Sequence, residues 1–122
     1  MTLQTKSKYH TEGYTIASTS ADASADVVYT GPANYSGIVR YLHISNSSNS
    51  TQKVYVQFYH AEDAEYHYIA NGLSMAGHSV INLVNGGYFF THSGDKILVY
   101  SETTNTMEVL VSVEEVFDPN RG

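Results

Sequence analysis

Between Phe58 and Tyr68 the chain reads FYHAEDAEYHY, which sets His60 and His67 and the acids Glu62, Asp63 and Glu65 among Tyr59, Tyr66 and Tyr68. Two imidazoles with carboxylates are a donor set for a divalent metal, and a histidine beside an acid is a unit of acid–base chemistry. Clustered tyrosines suit a contact surface, because the ring is apolar and the hydroxyl tolerates water. Which chemistry is available depends on register. If VYVQFYH and EYHYIA form a hairpin around a tip at Asp63 and Ala64, then Glu62 faces Glu65, His60 faces His67, Phe58 faces Ile69 and Tyr59 faces Tyr68. Directly opposed residues on one face bring their Cβ atoms to about 5 Å. The two-residue period places Val54, Val56, Phe58 and Ile69 on an apolar side, with His60, His67, Glu62 and Glu65 on that side beyond the core. Tyr55, Gln57, Tyr59, Tyr66 and Tyr68 fall on the opposite side.

The spacing matches neither a helical HExxH nor an HxH strand motif, and carboxylates at a hairpin tip are commonly just solvated. The expectation is a hairpin projecting to solvent or to a partner, with no metal, no cofactor and no catalysis. Eleven tyrosines and no tryptophan in 122 residues is a high load. Two main readings of it stand side by side: ordinary cross-strand pairs with good β propensity, or a protein–protein contact face with Tyr55, Tyr59, Tyr66 and Tyr68 as its anchors. Carbohydrate stacking is a third, disfavoured by the lack of tryptophan. Elsewhere no catalytic constellation emerges. No serine lies in GxSxG, and His43 and His78 read as strand-edge or turn residues. Glu114 and Glu115 point to opposite faces of one strand and cannot act as a pair. GPANYSG and NGG precede no helix that could receive a phosphate. The protein is expected not to be an enzyme.

The elements that must position these residues are strands. From Val27 onward, short β-branched and aromatic runs close on Gly, Asn, Ser, Asp or Pro: VVYT, GIVRYLHIS, KVYVQFYH, EYHYIA, HSVINLV, YFFT, KILVYS and MEVLVSVEEVF. No apolar helical period is sustained, so the reading is an all-β, antiparallel sandwich of about eight strands, jelly-roll-like or immunoglobulin-like. Residues 1–26 read as an N-terminal arm with one candidate strand, YHTEGYTIAS, and a polar connector, TSADASAD; 27–118 as the sandwich; 119–122 as a tail. SNSSNSTQ is a polar link, NGG at Asn85 to Gly87 a tight turn, and Gly94-Asp95 a hairpin-type turn returning the chain directly into its sheet. The length is that of one domain.

A net charge of -6 with six basic residues leaves no cationic stripe for nucleic acid. With no cysteine, disulfides and thiolate chemistry are excluded. No apolar run has secretory or bilayer-spanning length, so the expected chain folds in a cytoplasm and has no membrane partner. Open sheet edges predict a homo-oligomer, with a trimer as the expected state. The two polar ends, Pro119 among them, are expected to lie along neighbouring subunits.

VVYTGPANYSGIVRYLHISNSS resembles a loosely related group of small bacteriophage virion proteins, whose pattern maps here onto Val28, Tyr29, Thr30, Pro32, Ile38, Val39, Arg40, Leu42, Ile44 and Asn46. The resemblance continues at Tyr68-Ile69-Ala70, at Gly94, Asp95, Ile97 and Val99, and at Val109, Val111 and Val113, covering roughly Val27 to Asp118. It implies a virion structural protein made in the host cytoplasm, decorating or cementing the capsid or fitted to the neck or tail, with other virion proteins as partners. The alternative is a glycan-binding module of a tail appendage that recognises the host surface.

Overall fold

The computed structural model describes residues 7–84 and 87–118. The first six residues, Asn85 and Gly86 of the NGG turn, and the tail from Pro119 lie outside them. The described residues form nine strands in order: β1 (Ser7–Thr15), β2 (Asp26–Thr30), β3 (Tyr35–Asn46), β4 (Gln52–His60), β5 (Glu65–Met75), β6 (Val80–Asn82), β7 (Phe89–Thr91), β8 (Lys96–Ser101) and β9 (Met107–Phe117). Among the described residues the one helical feature is a single 3-10 turn at Asp22–Ser24.

The strands form two antiparallel sheets. The first runs β1-β9-β3-β6, with β7 also pairing to β3, and the second runs β2-β8-β4-β5. Successive strands cross from sheet to sheet, except at the β4–β5 hairpin and at β6 and β7, which pair with different stretches of β3. With β6 and β7 counted as one interrupted strand, this is the eight-strand wrapping of a jelly roll rather than the immunoglobulin order. The Gly94-Asp95 expectation is thereby corrected. That turn carries the chain from β7 in one sheet to β8 in the other, because turn chemistry specifies a reversal and not which sheet receives it. Gly94 adopts φ 83°, and the Asp95 carboxylate accepts hydrogen bonds from the backbone N–H of His92 at 2.8 Å and of Ala61 at 2.9 Å.

Alternation builds the core. On β9, Met107, Val109, Val111 and Val113 point inward and are buried, while Glu108 and Leu110 are exposed. They meet Val39, Leu42 and Ile44 of β3, Val54 and Val56 of β4, and Ile97 and Val99 of β8. Each such burial contributes about 1.5–3 kcal/mol. A bulge at Arg40 shifts the β3 register, so inward positions step from Val39 to Leu42 before alternation resumes at Ile44 and Asn46. The buried Asn46 amide donates to the carbonyls of Ser50 and Met75 at 2.9 and 3.0 Å, which ties the polar link after β3 to the end of β5.

The segment read as an arm belongs largely to the sandwich. β1 is the edge strand of the first sheet, paired to β9 along its whole length, and Ile16 just beyond it is fully buried. The connector that follows packs on the outer face of the second sheet. Asp26 accepts from the N–H groups of Ala17 and Ser18 at 2.7 and 2.9 Å, and Asp22 exchanges two 2.8 Å hydrogen bonds with the buried Gln57.

Candidate functional site

The FYHAEDAEYHY stretch is a β4–β5 hairpin, but its register differs by two residues from the expectation. A four-residue turn, Ala61 to Ala64, replaces the two-residue tip, so His60 pairs with Glu65, Tyr59 with Tyr66, Phe58 with His67 and Gln57 with Tyr68. Local chemistry explains the longer turn. Ala64 takes φ 55°, Asp63 accepts from the Glu65 N–H at 3.2 Å, and the Ala61 N–H is bound to Asp95. A bulge between Val56 and Gln57 then realigns the strands so that Ala70 takes the inward place opposite Val56, and Ile69, expected on that side opposite Phe58, is left 38% exposed. His60 and His67 therefore do not face each other, nor do Glu62 and Glu65.

What the turn brings together is His60 with Asp63, Nδ1 to Oδ2 at 3.2 Å. The imidazole is held above its ordinary range, chiefly by that hydrogen bond, and the Asp63 carboxyl below its own for the same reason. Asp63, Glu65 and His67 have ligand atoms within 4.8 Å of one another and could hold a divalent cation, although all three side chains are exposed.

Tyr55, Tyr59, Tyr66 and Tyr68 share the outer face of the second sheet, where they are joined by Tyr100 from β8. Tyr55 stacks on Tyr100 with ring centroids 4.4 Å apart and planes nearly parallel, and the hydroxyls of Tyr68 and Tyr100 are 2.6 Å apart. Burial and the Tyr68 contact push the Tyr100 phenol well above its usual range. Tyr59 and Tyr66 meet at 4.8 Å, with the Lys96 ammonium 5.4 Å from the Tyr59 ring. Ala21 and Ala25 of the connector pack on the same cluster, leaving Tyr55, Tyr59 and Tyr66 half-buried and Tyr68 44% exposed.

A second constellation escaped the sequence reading. Glu114 and Glu115 do point to opposite faces: Glu114 pairs with Arg40 outside at 2.8 Å, whereas Glu115 turns inward and is 4% exposed. Its Oε2 accepts a 2.6 Å hydrogen bond from the phenol of Tyr29, itself buried, and its Oε1 lies 3.8 Å from the Lys8 ammonium. Burial, then the adjoining carboxylate, drives the Tyr29 phenol far above its ordinary range. These residues floor an open-sided groove of about 460 Å³ between β1 and β2, walled by Lys8, His10, Glu12 and Tyr14 from one strand and Val27 to Thr30 from the other. The available signal was parity in MEVLVSVEEVF: Glu115 follows Val109, Val111 and Val113 on the inward side, where an apolar residue would be expected.

No protein-family model matches the chain, and no curated protein sequence matches it. No helix among the described residues is long and apolar enough to cross a membrane.

Proposed function

We propose that the protein is a non-enzymatic structural subunit acting through protein–protein contacts, and that its assembly is a bacteriophage virion in which it decorates or cements the capsid or is fitted to the neck or tail. The observation that carries this reading is β1. Eight of its nine residues are exposed, and among the described residues it is bonded on one side only, so that its other edge offers a row of backbone donors and acceptors. An unprotected strand of that length is an association hazard unless a neighbour covers it. The adjoining sheet face supports the same reading, since Tyr9, Leu110, Phe90 and Val80 all lie on its outer side by register and are exposed. Set among Glu108, Ser112 and the Arg40–Glu114 pair, they give this face the mixed apolar and polar character of a protein–protein contact surface. The tyrosines of the second sheet, with Tyr68 foremost, provide another contact region on the far side. The expected partners are copies of the chain, in a closed ring such as a trimer, and other virion proteins.

Mass spectrometry of CsCl-banded particles tests the location, and analytical ultracentrifugation tests the assembly. A copy number in proportion to the capsid, neck or tail subunits is the expected result. A protein absent from banded particles that also sediments as a concentration-independent monomer, alone and with virion proteins, would overturn the reading.

A further inference from the structure

We infer that the groove between β1 and β2 is a binding site for a neutral polyhydroxylated ligand, a saccharide unit, with Glu115 as its principal hydrogen-bond acceptor. The inference does not rest on the assembly reading, and it lies at a different place from the tyrosine face on which the sequence set carbohydrate stacking.

Glu115 is the starting point. An ionised carboxylate withdrawn from water is costly unless well paired, and apolar residues of similar size are usually as stable or more so. The rest of the inward row of β9 is apolar, yet here a carboxylate is nearly buried with one phenol donor and one ammonium at 3.8 Å. The Tyr29 hydroxyl is committed to Oε2, so Oε1 retains capacity to accept from a group entering the groove. That carboxylate lines a concavity whose volume falls in the range of about 300–1,000 Å³ typical of small-molecule sites.

The lining selects the chemistry. Glu115 and Glu12 repel phosphate, sulfate and carboxylate ligands. Lys8 already stands as the cation at Glu115 and, being 59% exposed in its side chain, would have to be displaced by another ammonium. A purely apolar ligand would seal off the carboxylate without a partner, at the cost of an unmet buried acceptor. A vicinal diol meets each demand. One hydroxyl donates to Glu115 Oε1 while a neighbour accepts from Lys8, Glu12 and His10 provide a further acceptor and an ambivalent group 3.2 Å apart, and the apolar surfaces of Tyr14 and Pro32 can take a sugar face.

The test is an amide-shift titration of the isotopically labelled full chain with methyl β-D-galactopyranoside, methyl α-D-mannopyranoside and N-acetyl-D-glucosamine, with n-butylammonium and inorganic phosphate as counter-probes at matched ionic strength. Expected are saturable shifts from at least one saccharide, concentrated at Lys8, His10, Glu12, Tyr29 and Thr30. Glu115→Gln should weaken binding by about tenfold or more, the loss of a charged acceptor. Because Glu115 is buried, the paired variant His10→Ala with Glu12→Ala, on the exposed β1 strand and leaving Lys8 beside Glu115, serves as the second arm. It should weaken binding while leaving the remaining amide spectrum in place. The proposal is overturned if no saccharide gives saturable shifts, if n-butylammonium or phosphate competes for the same residues more tightly, or if binding survives in the folded variants unchanged. Any of these results leaves the particle-association claim standing on its own measurements.

Discussion

Replacing Gln57 tests whether one side chain holds the connector onto the second sheet. Gln57 is 1% exposed; its Nε2 donates to Asp22 Oδ1 and its Oε1 accepts from the Asp22 N–H, both at 2.8 Å. The backbone bond is worth about 1 kcal/mol, and a buried charge-assisted bond would reach about 1.5–3 kcal/mol. Asp22 is exposed, however, so screening by water brings the second contribution down to about 1 kcal/mol. Asp22 also sits at φ 59°, a left-handed conformation that a non-glycine residue keeps only when its surroundings hold it there. Gln57→Leu, which retains most of the volume and gains apolar burial, should therefore destabilise by about 1–2 kcal/mol. Gln57→Ala adds a cavity and should cost about 2–4 kcal/mol. Urea unfolding followed by tyrosine emission gives the free energies, and hydrogen exchange at the Asp22 amide should accelerate in both variants. If both unfold within about 0.5 kcal/mol of the parent, the level of an ordinary surface change, and Asp22 stays protected, the latch does not exist.

Three further outcomes are expected. Ile16→Ala should destabilise by about 2–5 kcal/mol, read by urea unfolding, because Ile16 is fully buried where β1 leaves its sheet. His60 should titrate above a solvated histidine by NMR, and Asp63→Asn should bring it back. The raised imidazole contributes stability that is present below its unfolded pKa and lost as pH rises through the folded one, and the depressed Asp63 contribution is lost as pH falls through its folded pKa, so the pair acts only between those limits. Tyr59→Ala with Tyr68→Ala should weaken assembly by about 1–2 kcal/mol in sedimentation if these rings anchor a contact, whereas His60→Gln with His67→Gln should leave assembly unchanged and the untagged protein free of stoichiometric zinc.

The strands were legible in the sequence because alternation of β-branched residues declares which face of a strand is buried. It does not declare the neighbour, and so MEVLVSVEEVF could be read as the last strand but not as one lying between β1 and β3. Register failed where backbone detail decided it: a positive φ at Ala64 lengthened the hairpin turn, and bulges at Arg40 and beside Gln57 shifted alternation by a residue. The Tyr29 and Glu115 pair shows the limit most plainly. The inward parity of Glu115 could be counted off the strand, but its phenol partner stands 86 positions away in the chain and only the wrapping of the two sheets unites them. The packing of the connector was out of reach for a similar reason: TSADASAD does link two strands and is polar by composition, yet it also presents Ala21 and Ala25 to a tyrosine cluster.

The corner around Asp95 bears on how the hairpin tip can act. Besides holding the N–H groups of His92 and Ala61 with its carboxylate, Asp95 accepts the Gly31 N–H through its backbone carbonyl at 2.8 Å, while Gly94 donates to the Gly31 carbonyl at 2.9 Å. Gly31 itself packs so closely on the His92 carbonyl that a β-carbon would collide with it. Three loops from separate parts of the chain thus meet at Asp95, which is 2% exposed: its carboxylate holds the Ala61 turn and its own loop, and its backbone carbonyl holds Gly31. A surface whose shape is already fixed gives up little conformational freedom when it is covered, so a contact made there retains more of its gross interaction energy than one made by a free loop. A contact made at the rim bearing His60, Asp63 and His92 would accordingly leave the shape change to the other surface.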